Sequence, residues 1–223
     1  MKIEIWSDVV CPWCYVGKRR FEAALDGFEH RDEVEVTWRS FELDPSTPRE
    51  RDVDLATHLA QKLGTSREEA VAMQQRVVDI GAAEGIGFRP DIARVGNTFD
   101  AHRLLHLAAE HGRQGELKER LMSSYHVEGE RIGDPATLER LAIEAGLPAQ
   151  EVRELLAGER FGAEVRDDER TATSLGISGV PFFVVDRALG ASGAQSRETF
   201  AALLERGWEN RPGVQDTQAA ARG

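Results

Sequence analysis

The thiol content of this 223-residue chain is two cysteines, and they fall together as Cys11-Pro12-Trp13-Cys14. This spacing lets Cys14 reach Cys11 one helical turn on, so the two sulfurs can bond to each other. The alternating run Ile3 to Asp8 reads as a strand directly before the pair. Pro12 suits the first position of a helix, where its missing N–H is not needed. Both cysteines therefore open a helix. The first turn of a helix exposes unpaired N–H groups and the positive end of its dipole, and both stabilise a thiolate. At such a position a thiol pKa falls from about 8.5 into the range of roughly 3.5–7.5. The chemistry this permits is thiol–disulfide exchange. Cys11 attacks a substrate disulfide and forms a mixed disulfide, and Cys14 then attacks Cys11 and releases the reduced substrate. The steps are reversible, so the motif leaves the direction open. His102 and His106, spaced i, i+4, offer a Cys2His2 zinc alternative. They lie far outside the compact spacing of structural zinc motifs, and no metal is expected.

The elements around this pair are legible from periodicity. A helix is expected from about Pro12 to Phe28 and a second strand from Glu33 to Phe41. A loop with two prolines follows, Leu43 to Pro48. From about Asp52 to Gly176 nearly every signal is helical. Leu55, Leu59 and Leu63 recur at i, i+4, Ser66 opens a helix running to about Glu84, and Gly85 to Asn97 is a loop. Helices follow from Asn97 or Thr98, from Glu116, from Asp134-Pro135, from Pro148 and from about Gly162. Strand signals return at Pro181 to Asp186 and at Ala188 to Ser192, before a closing helix, Ser196 to Trp208. Two separate pairs of exposed strands cannot bury their faces. The economical solution is one sheet built from both ends of the chain. The domain reading is a sheet domain from residues 1–50 and 172–208, an inserted helical domain over 51–171, and a disordered tail over 209–223.

Composition excludes several classes. The formal charge is −11, with 28 basic against 39 acidic side chains. An acidic chain without a basic stripe is repelled by nucleic-acid phosphates and anionic lipid. No apolar run approaches the roughly 20 residues of a membrane helix. The first residues alternate and lack the continuous apolar stretch of a secretory signal. If Met1 is the true start, the expected compartment is the cytosol. Structural disulfides are rare there, which leaves a redox-active or catalytic role for the Cys pair.

With these motifs in place the chain resembles the DsbA-like branch of the thioredoxin superfamily. The segment Ser7 to Gly17, the segment Gly176 to Phe183 and Ser192-Gly193-Ala194-Gln195 are most similar to the FrnE group of dithiol oxidoreductases. The resemblance covers about residues 1–207. It implies an α/β thioredoxin-like fold with a large all-helical insertion. It also implies a cis Val180–Pro181 peptide facing Cys11, with Val180 offering backbone hydrogen bonds to an extended substrate. The same branch contains kappa-class glutathione transferases and 2-hydroxychromene-2-carboxylate isomerase. In these a serine commonly matches Cys11 and the second cysteine is missing, so the dithiol here favours redox exchange.

The expected function is thus a thiol–disulfide oxidoreductase or isomerase, with Cys11 as nucleophile and Cys14 as resolving thiol. The alternative is a glutathione-dependent isomerase or transferase acting on a small molecule. Pro12, Trp13, Val180, Pro181 and His102 are the expected substrate contacts. The second face of the helix from Thr98 carries Phe99, His102 and His106. His102 there would polarise a substrate group or shuttle a proton, the alternative being an ordinary hydrogen-bonded histidine. Asn97 is expected to cap that helix, and Asp8 to lie near the thiols or to act as a strand-end turn residue. The mixed-charge runs at residues 67–69 and 166–170 read as solvated helix faces. Met73, Leu121, Met122 and Tyr125 read as core. No cofactor beyond the Cys pair is expected. The expected partners are protein or small-molecule thiols and disulfides, with glutathione as a candidate co-substrate. Homodimerisation is left open.

Overall fold

A computed structural model describes residues 1–211. Its organising element is β1 (Lys2–Ser7), the strand that runs directly into the cysteine motif. It pairs in parallel with β2 (Glu35–Ser40) on one side. On the other side it pairs antiparallel with β3 (Phe182–Val185), which pairs antiparallel with β4 (Leu189–Ser192). The order β2-β1-β3-β4 joins both ends of the chain in one four-stranded sheet. The parallel β1–β2 pair needs a crossover connection, and α1 (Pro12–Asp26) supplies it.

Each face of the sheet is buried by a different part of the chain. One face packs on α1 and on α9 (Arg197–Glu209), with the Phe21, Phe183 and Phe200 rings interlocked. Phe183 and Phe200 lie 4.5 Å apart between ring centres. The other face carries Trp6 and Val184 against Ala172 and Ile177, and the Trp6 indole N–H donates to the Asp168 carbonyl at 2.9 Å.

Seven helices lie between β2 and β3 among the described residues: α2 (Leu55–Leu63), α3 (Arg67–Ala83), α4 (Phe99–Glu110), α5 (Gln114–Ser123), α6 (Pro135–Glu144), α7 (Ala149–Ala157) and α8 (Gly162–Ser174). They share a core centred on α4, where Leu104, Leu107 and Ala108 meet Leu117, Leu121, Leu138 and Leu141. Their starts follow from capping chemistry. The side chains of Asp54, Ser66 and Asp134 each accept the backbone N–H three residues on, and Ser66 with Glu69 closes a reciprocal capping box.

Three features depart from the sequence reading. A π-helical turn, Ser124–Glu128, extends α5 and buries Tyr125 and His126. Such turns occur at functional sites and have no apolar period of their own. Asp168, expected on a solvated face, is buried. Its carboxylate accepts the Ser40 N–H at 2.9 Å and the Arg39 guanidinium at 3.1 Å, tying α8 to β2. Glu209, the first residue of the expected tail, belongs to α9, and residues 212–223 of that tail lie outside the described residues.

Gly81 on α3 lies against Phe88, and a Cβ there would sit 2.2 Å from the ring. Alanine gains up to about 1 kcal/mol of helix propensity over glycine. The clash is far inside van der Waals contact and outweighs that gain. Gly81→Ala is expected to destabilise the protein by about 1–3 kcal/mol. Urea denaturation monitored by circular dichroism checks this; an unchanged or raised midpoint contradicts the packing described.

Candidate active site

β1 ends at Ser7, and the next residues turn the chain so that Cys11 becomes the residue before α1. The Cys11 carbonyl accepts the Cys14 N–H at 3.0 Å, which begins the helix. The Val180–Pro181 peptide is cis, as the resemblance implies, and the Cys11 thiol donates to the Val180 carbonyl at 3.7 Å. Gly17 permits this approach. A Cβ on it would meet Pro181 Cγ at 3.0 Å, so a side chain there would push α1 away from the Pro181 loop.

The two thiols occupy different environments, although both are reduced and buried. Cys11 lines the edge of a cavity, and Cys14 lies behind it at 1% exposure. The Cys14 S–H, together with the backbone N–H groups of Cys14 and Trp13, pulls the Cys11 thiol below its ordinary pKa, against burial and the Asp8 charge. Burial, then the neighbouring Cys11, pushes the Cys14 thiol well above its ordinary pKa. The pair is therefore polarised, with the accessible sulfur the more acidic. This ordering is the one a nucleophile and a resolving thiol require.

Asp8 lies under the motif at 1% exposure. It accepts the Leu43 N–H at 2.8 Å and the His102 Nε2–H at 3.3 Å. Burial opposes its charge, but His102, Leu43 and the nearby Lys118 ammonium outweigh it and hold the carboxyl below the usual carboxylate range. His102 thus differs from the expected substrate contact. It has no exposed surface and faces Asp8, because α4 turns this side into the protein interior. His106 turns to Asp168 and Ser40 instead, at 3.2 and 3.1 Å. The two histidines therefore do not gather around the cysteines. The cap residue of α4 is Thr98 rather than Asn97; Asn97 stands just before it, accepts the Phe99 N–H at 2.8 Å, and donates its amide to Glu42.

The cavity beside Cys11 encloses about 440 Å³. Trp13 and Val180 border it near the thiol, and Pro12 lines it. Its far walls come from α2 and α3, through Leu55, Leu59 and Leu63 and through Met73, Val77 and Val78. Tyr125 and His126 complete it. His126 donates its Nε2–H to the Val9 carbonyl at 3.1 Å, and burial pushes its pKa down to about 3, so it is a neutral wall residue. Tyr125 is buried as expected, but Met73 is not core. It is 40% exposed and stands with Trp13, Leu43 and Leu63 as an apolar rim. Periodicity could place these side chains on helix faces, but it could not show that α2 and α3 leave a gap between themselves and the sheet.

Two charges on α5, one buried and one half-buried, also escaped the sequence reading. Lys118 has no exposed surface and donates to the Ser7 carbonyl at 3.3 Å. Glu119 accepts from the Tyr15 hydroxyl and from Lys18, each at 2.6 Å, and from Arg19, so it fastens α5 to α1. A signal existed for Lys118. It stands four residues before Met122, on the same helix face, and Met122 is fully buried.

A thioredoxin-like sheet, a dithiol at the start of its first helix and a cis-proline loop against the thiol define a disulfide oxidoreductase. The DSBA-like thioredoxin domain matches residues 2–205, and the chain belongs to that family. It is similar to a structure described as a probable DsbA oxidoreductase from Streptomyces coelicolor. That match has 48% identity and a TM-score of 0.90, and covers 95% of this chain and 92% of that one. It is 29% identical over 199 residues to the protein YwbO of Bacillus subtilis (strain 168), covering 89% of this chain and 92% of that protein. The fold also matches that of the cytosolic disulfide reductase DsbM from Pseudomonas aeruginosa, with a TM-score of 0.65 at 18% identity, over 95% of this chain and all of that one. No helix among the described residues is long and apolar enough to cross a membrane.

The charge of Asp8 opposes the Cys11 thiolate, so Asp8→Asn is expected to move the Cys11 titration to lower pH. The rate of iodoacetamide alkylation against pH, with mass spectrometry locating the label on Cys11, reads the shift. A midpoint that stays or rises contradicts the electrostatics described.

Proposed function

We propose that Cys11 is the attacking thiol and Cys14 the resolving thiol of a disulfide exchange on substrates that present an apolar group beside the reacting sulfur. The observation that carries this reading is the asymmetry of the pair. Cys11 borders the cavity with a lowered pKa, and Cys14 is enclosed behind it with a raised one. The Cys11 thiolate attacks a substrate disulfide, a Cys11–substrate bond forms, and one substrate thiolate leaves. Cys14 then bonds to Cys11 and the second thiolate leaves. Run backwards, the Cys11–Cys14 disulfide oxidises a substrate dithiol, and the two directions together amount to isomerisation. Trp13 and Pro12 border the reacting sulfur, and the Val180 and Pro181 loop offers backbone to an extended client.

The cavity chemistry bears on the substrate. Its walls are mainly aliphatic and aromatic. Among its charged lining groups Lys62 is occupied by the Leu43 carbonyl, and burial and Arg51 lower the pKa of His58. Such a space suits an apolar side chain or a small apolar disulfide better than glutathione, which carries two carboxylates. Glutathione fits this reading as an electron donor at the cavity mouth, in line with the DsbM structure that contains it. No further cofactor is part of the proposal. FrnE-type activity in the cytosol is the setting we favour, in line with the cytosolic DsbM structure that shares the fold.

A second reading is a glutathione-dependent enzyme acting on a small molecule. The cavity, at about 440 Å³, is of ligand size, and the fold is shared with 2-hydroxychromene-2-carboxylate isomerase at a TM-score of 0.67. Cysteine variants separate the two. With a disulfide-bonded test protein, Cys14→Ser is expected to accumulate a mixed disulfide through Cys11, seen by non-reducing electrophoresis and mass spectrometry. Cys11→Ser is expected to lose at least a hundredfold in exchange rate, the lower end of about 10²–10⁴ for a single catalytic group. Exchange that survives Cys11→Ser removes the first reading. The reduction potential of the pair against glutathione, read by Trp fluorescence, then fixes direction: a value near about −270 mV marks a reductase, and one near about −120 mV an oxidant.

A further inference from the structure

The resolving step poses a proton problem that the dithiol alone does not solve. Cys14 must lose its proton to attack, yet it is 1% exposed and does not line the cavity. The cavity is lined by Cys11 and not by Cys14. A proton acceptor for Cys14 therefore has to belong to the protein.

Lys118 is the unexplained group at that place. Its ammonium has three protons to donate, and its one hydrogen bond among the described residues is the 3.3 Å contact to the Ser7 carbonyl. Its other neighbour is the Trp38 ring, 5.6 Å from Nζ to the ring centre, on β2. Ser7 links it to the thiol: the carbonyl takes Lys118, and the buried, otherwise unpartnered Oγ lies beside Cys14. The charged and titratable groups that face Lys118 are Asp8 beyond β1 and Cys11, Cys14 and Lys18 on α1. Lys18 is itself neutralised by Glu22 and Glu119.

We propose that Lys118, as the free amine, accepts the Cys14 proton when Cys14 attacks the mixed disulfide on Cys11, and returns it when the Cys11–Cys14 disulfide is reopened. This rests on the reading that Cys14 resolves. The step balances without an added reductant. The Cys14–Cys11 bond forms, the bond from Cys11 to the substrate sulfur breaks, the substrate leaves as thiolate with the bonding pair, and Lys118 becomes an ammonium. Asp8 is the competing base, but both its oxygens already accept hydrogen bonds and its carboxyl is held below the usual range, so it has little affinity for a thiol proton. Burial pulls the Lys118 ammonium down to about 8, which makes the free amine available close to neutral pH.

The test uses the reduced full chain and dithiobis(nitrobenzoate), which releases one coloured thiolate when Cys11 attacks and a second when Cys14 resolves. Stopped-flow absorbance separates the two. Lys118→Met is expected to slow the second release about a hundredfold relative to the first. It is also expected to move the pH midpoint of that release upward from about 8, toward the unassisted Cys14 thiol. A second release with unchanged rate and midpoint overturns the proposal. So does a wild-type midpoint in the carboxylate range, which gives the role to Asp8. Absence of the first release overturns the Cys11 reading and this one together. A second measurement needs no variant. NMR of the lysine side-chain nitrogens in wild-type protein is expected to show the Lys118 titration move down when the disulfide forms, because the sulfurs then carry no charge. A titration unaffected by oxidation overturns the proposal.

Discussion

A carboxylate held away from water must be met by donors, and Asp8 is met from three separate stretches of the chain. His102 comes from α4, the Leu43 N–H from the loop after β2, and the Lys118 charge from α5. Removing any one partner leaves a buried anion with one donor or one nearby positive charge fewer, a change that is generally costly. This requirement fixes where the helical block sits on the sheet, because the partners must converge just beyond the end of β1. The cysteine motif starts three residues later, so its surroundings are set by the same convergence. The cavity is a by-product of that placement. Its sheet-side edge is the motif itself, and its outer walls are the two helices that reach over it.

A second contact ties α5 to α1. Glu119 gathers Tyr15, Lys18 and Arg19, so α5 holds the first turns of α1 while its neighbour Lys118 reaches under them. Adjacent residues on one helix thus divide their duties. Glu119 gathers two cations and a hydroxyl in a half-buried position, whereas Lys118 has a single backbone acceptor among the described residues and no exposed surface. Groups left under-satisfied in an otherwise well-bonded interior deserve a chemical explanation. The contrast between these neighbours is what separates a tether from a proton carrier.

Most of the architecture was legible in the chain itself. The strands announced themselves by alternation, and the helices by starts such as Ser66 and Asp134 and by repeats such as Leu55, Leu59 and Leu63. The dithiol was legible because its chemistry depends on local spacing, and the cis bond before Pro181 followed from the family resemblance. What was not legible depends on which helix face meets which neighbour. His102 reads equally well as a cleft or an interior residue until α4 is docked. Met73 belongs to an apolar pattern that gives no hint of a rim. Asp168 looks like one more charge in a charged run until its helix is laid against β2, where the Ser40 N–H needs an acceptor. Lys118 is the extreme case, since lysine almost never lies fully buried. In each instance local sequence supplied the side chain, and only long-range packing supplied its meaning.

The contact between the Cys11 thiol and the Val180 carbonyl joins residues 169 positions apart. A ribosome working at about 5–20 residues per second therefore takes roughly 10–30 seconds to deliver the second half of the site after the first. Through that interval the two sulfurs are without the Val180 carbonyl, and Lys118 and the cavity walls arrive only partway through it. They are ordinary thiols on a nascent chain, open to whatever oxidant is at hand. The backbone acceptor beside Cys11, and with it the complete edge of the site, becomes available only near the end of synthesis. The catalyst is thus kept immature by the order in which its parts are made.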